Sequence, residues 1–148
     1  MMRAVDDDFS AITPTGSAKL AGGLTVVSGI FSTIMALQGL LAVHGGYLLS
    51  VPIFGLLGLG GVSCGVGLLR MRGVATLAAA GFALAIGLVS FAWFFVMLFG
   101  LGALVLLPLL LTPLSGCAAI FALTCLKQAR LADAARSRLR AQGLDSGL

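Results

Sequence analysis

The chain has 148 residues, 59% of them hydrophobic and only 9% charged, with a formal net charge of +4 and a mean hydropathy of +1.14. A soluble domain needs roughly a quarter of its residues as Asp, Glu, Lys and Arg to cover its surface, so this composition excludes an ordinary globular protein and indicates membrane spans. Glu and Asn are absent, and the charge lies in three places: residues 1–19 (Arg3 and Lys19 against Asp6, Asp7 and Asp8), the pair Arg70 and Arg72, and the stretch from Lys127 onward, where five basic residues face Asp133 and Asp145.

Residues 1–19 read as a flexible N-terminal segment. A first span follows from about Leu20 to Val43, preceded by "TPTGSAK", in which Thr13-Pro14 or Ser17 can start a helix. The acidic run before it and an apolar length of about 24 residues argue against a cleaved signal peptide. "HGGYLLSVP" is a turn, and Pro52 suits the first turn of a second span reaching Leu69. Residues 73–126 carry no charge and are too long for one span. The breaker Gly100-Leu101-Gly102 divides them into a third span, Val74 to Phe99, and a fourth, Ala103 to Leu126. Each can cross roughly 30 Å of hydrocarbon at about 1.5 Å per residue. Residues 127–148 read as a basic helix extending the fourth span, with Gly143 as its C-cap, and a tail.

The expected fold is therefore an all-α membrane protein, a four-transmembrane-helix bundle with both termini cytoplasmic. Every Lys and Arg falls on one side of this topology, which the positive-inside rule makes cytoplasmic. Trp93 and Tyr47 then fall near the outer interface, where an aromatic belt belongs. "GYLLSVP" (46–52) and "GALVLLP" (102–108) both place Pro six residues after Gly, a weak repeat that admits two tandem helical hairpins. Arg outnumbers Lys and Ala and Gly abound, a usage that fits a GC-rich bacterial genome and hence an inner membrane.

Small residues recur at steps of three and four in all four spans: Gly22, Thr25, Gly29, Ser32, Ala36 and Gly39; Gly58, Gly61 and Gly65; Gly73, Thr76, Ala80, Ala83, Gly87 and Ser90; Pro108, Thr112, Ser115, Ala119 and Ala122. Such a stripe keeps to one helix face. Apolar burial cannot drive helices together in lipid, so close approach through small residues supplies the contact. A second small face on the second span, Gly60, Cys64 and Gly67, calls for a second neighbour or another subunit. Pro108 and Pro113 are expected to kink the fourth helix, freeing the carbonyls of Leu104 and Leu109.

Chemistry-bearing groups are scarce. No Asp, Glu, Lys or Arg is expected at mid-depth, where proton-coupled transporters and membrane enzymes keep one. Cys64, Cys117 and Cys125 form no C-x-x-C, and His44 is the lone histidine, so disulfide exchange and bis-His haem binding are disfavoured. Gln38, His44, Tyr47 and Ser50, with Trp93 at similar depth, gather as a shallow outer polar pocket. Arg70, Arg72, Lys127, Arg130, Arg136, Arg138 and Arg140 read as topology anchors facing anionic lipid headgroups. No cofactor, metal or nucleic-acid partner is implied. The sequence favours a non-enzymatic accessory or assembly subunit that packs against other membrane subunits or itself. The alternative is a homo-oligomeric channel or facilitator for a small solute or ion, built on the kinked fourth helix.

Overall fold

A computed structural model describes residues 10–41, 49–98, 106–141 and 143. They contain four long helices: α1 (Gly16–Leu41), α2 (Ser50–Leu69), α3 (Gly73–Leu98) and α4 (Leu106–Ala141). All four are long and apolar enough to cross a membrane, and the described residues contain no strand. The chain is a multi-pass helical membrane protein. Helices α1 to α3 begin within four residues of the expected span starts. The turn at Gly100-Leu101-Gly102, together with His44 and Tyr47, lies outside the described residues.

Helix α1 packs on α2 and α4, and α3 packs on the same two neighbours, with only a slight α1–α3 diagonal contact. Glycine makes the α1–α2 contact possible. A Cβ on Gly29 would lie 2.7 Å from the Gly58 carbonyl oxygen and 2.8 Å from the Val62 nitrogen. A Cβ on Gly58 would lie 2.7 Å from the Gly29 carbonyl oxygen, so the two backbones touch without side chains between them. The second small face of α2 meets α3: Gly60 lies under the Phe82 ring, and a Cβ on Gly67 would come 2.6 Å from that of Ala75. Helix α2 thus has small residues towards both neighbours.

Hydroxyl groups within the spans bond mostly along their own helices. Thr25 donates to the Ala21 carbonyl (2.8 Å), Thr33 to Gly29 (3.0 Å) and Thr112 to Pro108 (2.9 Å), the usual way to satisfy such a group in lipid. Ser32 instead crosses to α2, donating to the Phe54 carbonyl at 2.9 Å. Phe54 is fully buried and meets Trp93 edge-on, with ring centroids 5.8 Å apart. Large apolar side chains such as Leu56, Leu59, Val74 and Leu88 are exposed around the outside.

Two features differ from the sequence expectation. Helix α4 does extend through Lys127 to Ala141, but the extension is packed rather than a solvated anchor: Ala129, Ala132, Ala135 and Leu139 on it are buried. The N-terminal segment is also partly built in. Residues 10–12 form a helical turn, and Ile12 is buried against Ala135 and Leu139. Thr15 bonds Gln128 Oε1 at 2.9 Å. The α4 extension therefore offers an apolar stripe that α1's leader covers, which keeps Ile12 out of water.

Candidate functional site

The three residues Arg70, Met71 and Arg72 join α2 to α3. A helix leaves four carbonyls unpaired at its C-terminus and four amides at its N-terminus, and here both sets meet in one tight turn. Part of the solution is local. The Met71 amide bonds the Leu68 carbonyl (2.8 Å) and the Arg72 amide reaches the Gly67 carbonyl (3.4 Å), the paired bonds of a Schellman motif. That motif puts its central residue in the left-handed region, and Met71 has φ +52°. Glycine is the usual occupant. Methionine is there because its side chain is 1% exposed, packed in a cluster with Ala18, Ala21, Leu68, Ala122, Cys125 and Ala132.

The rest of the solution comes from α4, 60 or more positions away in sequence. Asp133 Oδ2 accepts the Gly73 amide at 2.7 Å, at the first turn of α3. Arg136 donates to the carbonyls of Met71 (2.9 Å) and Arg70, at the end of α2. Arg136 and Asp133 also pair with each other at 3.0 Å, as i,i+3 neighbours on one helix face. An anion thus sits at a helix N-terminus and a cation at a helix C-terminus, each favourable by about 0.3–1 kcal/mol through the helix dipole alone. The Arg136 side chain is only 12% exposed, which lowers the local dielectric and strengthens its bonds. We call this arrangement the Asp133–Arg136 clamp.

Beside the clamp lies an open cleft of about 440 Å³, lined by Arg72, Val74, Asp133, Arg136, Ser137 and Arg140. A second open groove, of about 400 Å³, runs along α4 past Leu123, Leu126, Lys127, Arg130 and Leu131. Among the described residues Asp133 is the only carboxylate, and no group of three His, Cys, Asp or Glu could hold a metal ion. No family model, no curated protein and no solved structure matches the chain.

The other expected site residues take the following places. Arg70 caps α2 and is exposed, as are Arg72, Lys127, Arg130, Arg138 and Arg140, whereas Arg136 turns inward. Gly22, Gly29, Ser32, Gly58, Gly61, Gly65, Ala83, Gly87, Ser115 and Ala119 are all buried. Pro108 falls in the first turn of α4, where its missing amide has no intrahelical partner to lose. Pro113 is inside the helix and exposed. The hydroxyls nearby bond the Pro108 and Thr112 carbonyls rather than that of Leu109. Of the outer polar set, Gln38 is half-buried near the end of α1, Ser50 is buried and Trp93 is half-buried. Cys64, Cys117 and Cys125 are all free thiols.

Asp133 and Met71 were not among the expected site residues. Asp133 has one sequence signal, a lone acid three residues before Arg136 on a basic helix. Met71 has none, because methionine is not a turn residue.

Proposed function

We propose that the chain is a non-enzymatic subunit of a bacterial inner-membrane complex: a four-helix bundle of two tandem hairpins, with both termini in the cytoplasm, acting through helix packing in assembly. The observation that carries this reading is the occupancy of the helix interiors. Backbone meets backbone at Gly29 and Gly58, and the hydroxyls of Thr25 and Thr33 are turned onto carbonyls of α1 itself. That leaves reactive groups to the basic end and offers neighbours an apolar exterior. The orientation rests on the basic clustering of the 70–72 turn and the α4 extension, both of which sit at one end of the helices. Purification in mild detergent with a mass measurement tests the subunit role. A higher-order species or a co-purifying protein is expected, and a lone monomer overturns it. Reporter fusions at residues 44–47 and 100–102 test the orientation, with periplasmic signal expected at both.

A homo-oligomeric channel is the second reading. An apolar groove of about 280 Å³ between α3 and α4, lined by Ala83, Gly87, Phe91, Thr112 and Gly116 among others, favours it, because Pro113 lies between two of those residues. Liposome flux of small solutes, altered by Pro113→Ala, is its expected signature. Absence of flux removes it.

A further inference from the structure

We propose that the cleft beside the Asp133–Arg136 clamp is a phosphate-recognition site, and that its ligand is the phosphate of an anionic lipid in the adjoining leaflet. The inference rests on the reading that this end of the helices lies at a membrane surface. The clamp consumes its own charges. Both oxygens of Asp133 are engaged, one by Arg136 and one by the Gly73 amide, and both terminal nitrogens of Arg136 are bound to protein acceptors. Arg72 and Arg140 remain on the walls of the same cleft, both exposed, with no carboxylate partner among the described residues. Two guanidinium groups, one from the α2–α3 turn and one from α4, thus line a single cleft, and a guanidinium is the side chain best suited to a phosphate.

The neighbouring groove selects a lipid over a soluble phosphate. It is lined by Leu123 and Leu126, within the apolar part of α4, and by Lys127, Arg130 and Leu131, which precede the cleft residues Asp133, Arg136 and Arg140 on the same helix. The aliphatic part of Arg130, on the groove wall, lies 3.6 Å from where a Cβ on Gly73 would stand, and Asp133, on the cleft wall, lies 2.8 Å from the same point. An acyl chain along the groove would leave its headgroup at the cleft.

The test is calorimetric titration of the full chain, purified in a neutral detergent, with dioctanoylphosphatidylglycerol, dioctanoylphosphatidylcholine and inorganic phosphate. Saturable binding of the phosphatidylglycerol is expected, with the other two probes weaker by about tenfold or more. Arg72→Gln with Arg140→Gln should weaken phosphatidylglycerol binding about thirtyfold, the product of two charges at the increment usual near an anionic surface. Lys19→Gln with Arg70→Gln removes the same charge from exposed positions outside the cleft and should change binding by less than about threefold. Equal losses in the two double variants would mean a diffuse basic surface and overturn the site. Inorganic phosphate binding as tightly as phosphatidylglycerol would overturn the lipid source, and phosphatidylcholine binding equally would overturn anion recognition. A monomer that still shows the selective loss would sink the subunit role while leaving this site standing.

Discussion

Arg136→Ala removes the one side chain that touches the end of α2, the turn and Asp133 together. Three hydrogen bonds are lost, to the carbonyls of Arg70 and Met71 and to the Asp133 carboxylate. A charge-assisted hydrogen bond contributes about 1.5–3 kcal/mol when its partner is left buried, but these three do not add. Asp133 is 44% exposed, so its freed oxygen regains water and that contact is worth under about 1 kcal/mol, as for an exposed pair. The carbonyl of buried Met71 has less recourse to solvent. The expected loss is about 2–3 kcal/mol, one lost buried bond plus a dipole contribution and a weakened ion pair. Arg70→Ala removes an equal charge from an exposed side chain and should stay within about 0.5 kcal/mol. The assay is an SDS-titration unfolding curve in mixed micelles, followed by the fluorescence of Trp93, the single tryptophan, which lies against Phe54. A double-mutant cycle with Asp133→Ala should show coupling above about 0.5 kcal/mol. If Arg136→Ala loses no more than Arg70→Ala, the clamp is an incidental surface contact and the reasoning fails.

The same unfolding curve reads four further changes. Gly58→Ala puts a Cβ 2.7 Å from the Gly29 carbonyl and 2.8 Å from the Thr33 nitrogen, backbone atoms that cannot yield. It should cost about 1–3 kcal/mol or prevent folding, whereas Gly81→Ala, with nothing within 4 Å, should be neutral or stabilising by up to about 1 kcal/mol. Met71→Gly relieves a left-handed residue worth about 1–2 kcal/mol but empties a buried side chain worth about 2–5 kcal/mol, so a net loss is expected and a gain would show that the turn, not the packing, dominates. Pro113→Ala restores an amide for the Leu109 carbonyl and should leave the midpoint unchanged or raised. A lower midpoint would mean that the proline itself is needed for packing at that point of α4.

The helices were legible in the sequence because lipid imposes a length and a composition on any segment that crosses it. The small-residue faces were legible for a related reason. Gly58, Gly61 and Gly65 recur at helical steps, and only the absence of a side chain permits the approach seen at Gly29. Even the second face of α2 could be read, as a demand for another neighbour that Phe82 and Ala75 of α3 meet. The clamp could not. Its bonds join Gly73 to Asp133 and Met71 to Arg136, pairs set by how α4 lies against the turn, and no local periodicity encodes that register. Charge alone placed Arg136 with the other anchors, although the structure turns it inward and leaves Arg72 and Arg140 outward. Ile12 was hidden for the same reason: one apolar residue in a polar leader has no pattern to announce what it packs on.

Two kinds of force hold the molecule, and their division bears on how a partner would meet it. Inside the spans the contacts are steric, through glycine and alanine, because lipid offers no hydrophobic reward for association. At the basic end the unpaired groups of two helix termini create a polar demand, and a distant helix meets it with one acid and one base. The α4 extension is consequently bound to the body along its length, by Ile12 and Thr15 of α1's leader on one side and by the turn on the other. Arg130, Arg138 and Arg140 are thus carried on an ordered helix rather than on a loose tail. A lipid headgroup or an acidic subunit surface meeting them has less ordering entropy to overcome, which raises affinity without adding a contact. Loosening the clamp by Arg136→Ala should therefore weaken phosphatidylglycerol binding several-fold even though Arg72 and Arg140 are untouched. Unchanged binding in that variant would show that the cations act as independent charges and that the ordered scaffold contributes nothing to recognition.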